Sequence, residues 1–137
     1  MGHLSVSSRI QVIQKKAIRA IFGLDYNGHT TEYFKFSGIL KLRDLYKFNL
    51  SCMIFKSLSL SDNFSINLRL TSDLHNYSTR NSHRNNLIVP QCNTSRTQSS
   101  FIYQSISEWN GLPDDLRTCE TISRFKHKLN KYYLNLY

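Results

Sequence analysis

The chain has 137 residues, 40% hydrophobic and 20% charged, a balance that fits a globular chain and excludes a disordered one. Lys and Arg number 18 against 9 Asp and Glu, a formal charge of +9, which favours an acidic partner: nucleic acid first, an anionic membrane second. No apolar run approaches the roughly 18 residues that span a bilayer, and the N-terminus lacks the long apolar run of a signal peptide, so the expectation is an intracellular protein, with nucleus and cytoplasm both compatible.

Ser7 and Ser8 offer N-caps for a first helix over about residues 9 to 22. Ile10, Ile13, Ala17 and Ile21 recur at steps of three and four, so they share one face, with Arg9, Lys15, Lys16 and Arg19 opposite. Gly23 is the stop, and Asp25-Tyr26-Asn27-Gly28 is turn chemistry. Thr30 or Thr31 opens a short helix through Tyr33, Phe34 and Phe36 that Gly38 ends. A third helix, about residues 42 to 56, is apolar on most sides: Leu42, Leu45, Phe48, Cys52 and Phe55 on one broad side, Tyr46, Leu50, Met53 and Ile54 further round. That pattern marks the organising helix of a core.

After residue 57 the composition changes. A helical turn fits at Ser61-Asp62, and residues 71 to 100 are rich in Ser, Thr, Asn, Gln and Arg. Short strands are expected at Leu68–Leu70, Leu87–Val89 and Phe101–Tyr103. A helix follows over about residues 104 to 110 with Ile106 and Trp109, ended by Gly111-Leu112-Pro113. Asp114-Asp115 begins a short turn through Arg117. Thr121 caps a final helix whose apolar stripe is Ile122, Phe125, Leu129, Tyr132, Tyr133 and Leu136. The expected fold is therefore α+β and mostly α-helical: one domain or fragment across residues 1–137, helical over 9–56 and 104–136, with a short antiparallel β-ribbon in the polar 65–103 stretch. The expected core is Ile13, Ala17, Ile21, Leu42, Leu45, Phe48, Cys52, Phe55, Trp109, Leu112, Phe125 and Leu129.

No catalytic constellation stands out. The adjacent carboxylates Asp114-Asp115 follow a proline and sit at a helical turn, not on the strand that a pair of catalytic metals needs. His75, His83 and Cys92 are separated by seven and eight residues, and no fourth ligand or C-x-x-C completes a zinc site; no metal and no cofactor is expected. The three cysteines, Cys52, Cys92 and Cys119, are odd in number and widely spaced, which suits a reducing compartment. There is no P-loop and no G-x-G-x-x-G. Trp109, in a helix that ends at Leu-Pro, reads as a core anchor.

The basic faces carry more. Lys15, Lys16 and Arg19 lie on the first helix, Arg80, Arg84 and Arg96 in the polar middle with Tyr77 nearby for stacking, and Arg124, Lys128 and Lys131 on the last helix. Cations against phosphates give salt-dependent, sequence-independent affinity, and neighbouring aromatics can hold unpaired bases. The plainer explanation is that every amphipathic helix needs a solvated face, and Lys is its commonest filler.

The order of segments adds a resemblance. Residues 13–19 (Ile-Gln-Lys-Lys-Ala-Ile-Arg), His29-Thr30, Phe34-Lys35 and 38–47 (Gly-Ile-Leu-Lys-Leu-Arg-Asp-Leu-Tyr-Lys) come first. Residues 75–80 (His-Asn-Tyr-Ser-Thr-Arg), Pro90, Arg96-Thr97, Ser100-Phe101, 109–113 (Trp-Asn-Gly-Leu-Pro) and 123–126 (Ser-Arg-Phe-Lys) follow. In this series the chain resembles the C-terminal tail of reverse transcriptases from non-LTR retrotransposons of the jockey/LINE type. Such tails often carry Gly-Pro or Ala-Pro before the Trp-Asn, where this chain has Gln104-Ser105-Ile106-Ser107-Glu108.

The resemblance implies a segment downstream of the polymerase palm and thumb. The family's endonuclease and palm do not fit in this length, and no Tyr here is followed by Asp-Asp, so no catalytic residue carries over. The implied function is a non-catalytic C-terminal fragment of an RNA-directed DNA polymerase, severed from a longer frame, that contributes weak RNA or DNA contacts and has the parent polymerase core as a possible partner. The alternative is a host-retained protein-interaction module without nucleic-acid binding. The oligomeric state is left open.

Overall fold

A computed structural model of the chain describes residues 6–59, 68–73 and 86–137. They form α1 (Val6–Phe22), α2 (Thr31–Ser37), α3 (Leu42–Ser59), α4 (Ser95–Gln98), α5 (Phe101–Asn110), α6 (Asp114–Arg117) and α7 (Ile122–Asn135), with one 3-10 turn at Thr71–Asp73. The expected turn at Ser61-Asp62 lies outside the described residues. Two compact units emerge: residues up to Tyr46 with Leu129–Tyr137, and Lys47–Lys128. The division falls within α3 and within α7.

The first unit is organised by short-range stops and one long-range clamp. Gly38 ends α2 at φ 69°, a left-handed conformation that glycine adopts without steric cost, and its N–H turns back onto the carbonyls of Phe34 and Lys35. Ile18, Phe34, Leu40, Leu129 and Tyr133 are buried here. The Phe22 ring packs on Tyr33 at 5.0 Å and on Phe36 at 6.1 Å. Gln14 fixes the extended link between α2 and α3. Its amide donates to the Leu40 carbonyl at 2.8 Å and accepts from the Leu42 N–H at 3.0 Å. Between these two contacts the Lys41 N–H donates to the Tyr137 hydroxyl at 2.7 Å.

That clamp decides which face of α1 turns inward. The expected core stripe is overturned: Ile13 and Ile21 are 64% and 69% exposed, and Ala17 is exposed as well. The inward face is Gln11, Gln14, Ile18 and Phe22, again at steps of three and four. A buried link with unpaired backbone groups is costly, and a primary amide matches one donor and one acceptor at once. Leu45, also expected inside, is 41% exposed, and Leu42 and Phe48 are half-buried.

The second unit is built on three aromatic rings from three helices. Phe55 stacks on Phe125 at 4.5 Å and 18°, and Trp109 closes the cluster at 5.9 Å from Phe125 and 6.5 Å from Phe55. Leu50, Cys52, Ile54, Ile106, Leu112 and Leu116 are buried in the same unit. Ser105 and Ser51 are tolerated inside because each hydroxyl donates to the carbonyl one turn back. The final helix begins as expected, with the Arg124 N–H donating to Thr121 Oγ1.

The expected β-ribbon is a correction. The described residues are mostly helical and contain no strand; Leu70 and Leu87 meet in one isolated antiparallel bridge. Two backbone bonds flank it, Thr71 N–H to Asn86 and Ile88 N–H to Arg69, both 2.9 Å. The pairing stops on one side because the chain turns into the 3-10 segment at Thr71. On the other, Pro90 has no N–H to give the next rung. Phe101–Tyr103, expected as a strand, is the first turn of α5, because Ser100 caps it by accepting from the Tyr103 N–H.

Candidate nucleic-acid interface

Residue by residue, the expected basic set separates. On α1, Lys15 and Lys16 are exposed, while Arg19 is half-buried and its Nε donates to the Gly28 carbonyl at 3.1 Å, so it secures the turn after the helix. Arg96 is exposed on α4. On α7, Arg124 and Lys131 are exposed, and Lys128 is half-buried with its Nζ 3.5 Å from the Asp115 carbonyl. Arg80 and Arg84, with Tyr77 beside them in sequence, lie outside the described residues.

Of these, Lys15 stands in a formed site. A cleft of about 210 Å³ in the first unit is lined by Gln11, Gln14 and Lys15 from α1, Thr31 and Phe34 from α2, and Lys41, Arg43 and Asp44 at the start of α3. Three cations therefore open onto one hollow with a single carboxylate. Each is positioned. Lys41 is held by its N–H bond to Tyr137, its ammonium lies 4.1 Å from the centre of that ring, and the Thr31 hydroxyl is 3.5 Å away. The Asp44 carboxylate faces the Tyr137 hydroxyl. Burial, reinforced by Asp44 and opposed by the Lys41 N–H, pushes the Tyr137 phenol above the usual tyrosine range.

Lys41 and Arg43 were absent from the expected site set. Their signal lay in Lys41-Leu42-Arg43-Asp44, where alternate residues around an inward Leu are both basic just as a helix begins. The positive end of the α3 dipole lies at the same place, although the Lys41 and Leu42 N–H groups are already taken by Tyr137 and Gln14.

Elsewhere the chemistry is structural. Asp114 is paired with Arg117, whose guanidinium is buried and also donates to the Asn86 amide oxygen. His75 and His83 lie outside the described residues, and among the described residues no three metal-ligating side chains gather. Burial pushes the Cys52 thiol up, against the opposing pull of Lys126 and Lys56, which leaves it a poor nucleophile. No described helix is long and apolar enough to cross a membrane. No family model matches the chain, and no curated protein or solved structure is similar to it.

Proposed function

We propose that the chain is a non-catalytic C-terminal part of a non-LTR retrotransposon reverse transcriptase, and that it holds RNA or DNA by the phosphate backbone. The observation that carries the nucleic-acid reading is the cleft in which Lys15, Lys41 and Arg43 open together at the start of α3. Its cations suit phosphate oxygens, which carry no sequence information, so binding that rests on them is sequence-nonspecific. The ordered motif series supports the assignment to the polymerase tail.

Titration of labelled single-stranded RNA and DNA at two salt concentrations tests it. Micromolar binding that weakens steeply with salt is expected. Replacing Lys15 and Arg43 by Ala removes two phosphate contacts and lowers the salt slope by about 1.4, at about 0.7 per contact for single strands. Absence of binding at low salt overturns the nucleic-acid reading and favours the alternative, a protein-interaction module.

A further inference from the structure

The stripe that the α1 sequence dedicates to a core faces outward. Val6, Ile10, Ile13 and Ile21 are all exposed, Val6 at 73%. A hollow of about 590 Å³ runs beside its first half, lined by Val6, Ile10, Leu42 and Tyr46 with Arg43 at its edge. Contiguous apolar surface of this kind marks an interaction site.

Spacing and charge define the occupant. Val6, Ile10, Ile13 and Ala17 recur at four, three and four, the seam of a two-helix coiled coil. Arg9 and Lys16, seven residues apart, border one edge of that seam, and α1 contains no acidic residue at all. A second copy of this chain is a poor match, because self-pairing sets these cations against each other or leaves them without acids, and each chain carries +9. The hollow between α1 and the start of α3 is concave and suits a rod better than a flat bilayer. We propose that the outward stripe of α1, with the groove at Leu42 and Tyr46, docks an acidic amphipathic helix of another protein.

The probe is a synthetic fluorescent peptide about three heptads long, with Leu and Ile at the seam positions and Glu at the flanks, titrated into the full chain. Micromolar binding is expected, weakened about tenfold by Ile13→Ser. That substitution is at an exposed position, so the thermal midpoint stays unchanged and the loss reports docking. A scrambled peptide of the same composition should fail to bind. If the scrambled peptide binds equally well, or Ile13→Ser has no effect, the acidic helix attaches by charge alone and the proposal falls. Binding to vesicles of phosphatidylcholine and phosphatidylserine that Ile13→Ser abolishes, with no peptide binding, would reassign the stripe to a membrane. Sedimentation showing a dimer that Ile13→Ser dissociates would reassign it to self-association.

Discussion

The side chain of Asn110 grips both backbone groups of Leu87. Its amide oxygen accepts from the Leu87 N–H and its amide nitrogen donates to the Leu87 carbonyl, each at 2.8 Å. Leu87 is 1% exposed, and its two backbone groups point away from the single bridge to Leu70, so Asn110 acts as the missing neighbouring strand. In Trp109-Asn110-Gly111-Leu112-Pro113, Trp109 and Leu112 fill the core and Asn110 ties the 86–90 segment to it.

Asn110→Ala leaves two buried backbone groups without partners. The expected cost is about 2–4 kcal/mol, read from urea unfolding followed by circular dichroism. Asn110→Asp keeps an acceptor for the N–H but turns a carboxylate oxygen on the Leu87 carbonyl, so it should not restore stability at neutral pH. A loss under about 0.5 kcal/mol in either variant, the level of an ordinary surface change, would mean the clamp is not made.

Gln14 repeats the device at Leu40 and Leu42. Gln14→Glu keeps one of the two bonds and should cost less than Asn110→Ala, about 1–2 kcal/mol, by opposing the Leu40 carbonyl while still accepting from Leu42. The same urea titration checks it, and Gln14→Met, which keeps the length and loses both bonds, should be no better.

Tyr137 predicts an alkaline limb. Its phenol is raised above the ordinary 10.0, chiefly by burial, so the folded chain keeps the proton where an unfolded tyrosine loses it. The associated stability is whole below about pH 10 and is lost as pH rises toward the native value. Tyr137→Phe should be about 1 kcal/mol less stable at neutral pH, having lost the acceptor for the Lys41 N–H, and the gap should close in alkali. Thermal midpoints of both chains across that range decide it: a constant gap would show that this phenol does not titrate as the burial implies.

Cys52 should be the last thiol to react. It is buried and its pKa is raised, while Cys92 and Cys119 are half-buried. Iodoacetamide labelling of the native chain, mapped by mass spectrometry, should modify Cys92 and Cys119 first and Cys52 only after urea is added. Early labelling of Cys52 would place it at the surface.

What was legible in the sequence was local. Gly38 and Thr121 act within one turn of where they stand, and the end of α2 and the start of α7 follow from them; Ser100 acts as locally, but the sequence after it reads as a strand at Phe101–Tyr103. The inward face of α1 was not legible. Its most apolar stripe points out because Gln14 answers backbone groups 26 and 28 residues away, and periodicity carries no information about a distant link. The ribbon was over-read because alternation around Leu70 and Leu87 does not show that Pro90 and the 3-10 turn cut it to one rung. Lys15 could be picked from its helix face. Lys41 and Arg43 left a signal in their own segment, but that they share a cleft with Lys15 shows only once α1 and the start of α3 are side by side.

Trp109 is the chain's one tryptophan, and it packs against the stacked Phe55 and Phe125 in the second unit. Its emission is therefore a private reporter of that unit and is silent about the first. Far-ultraviolet ellipticity, by contrast, sums the helices of both. Recorded together during one denaturation, the two signals reveal whether the halves melt as one cooperative body or in sequence, with no label added.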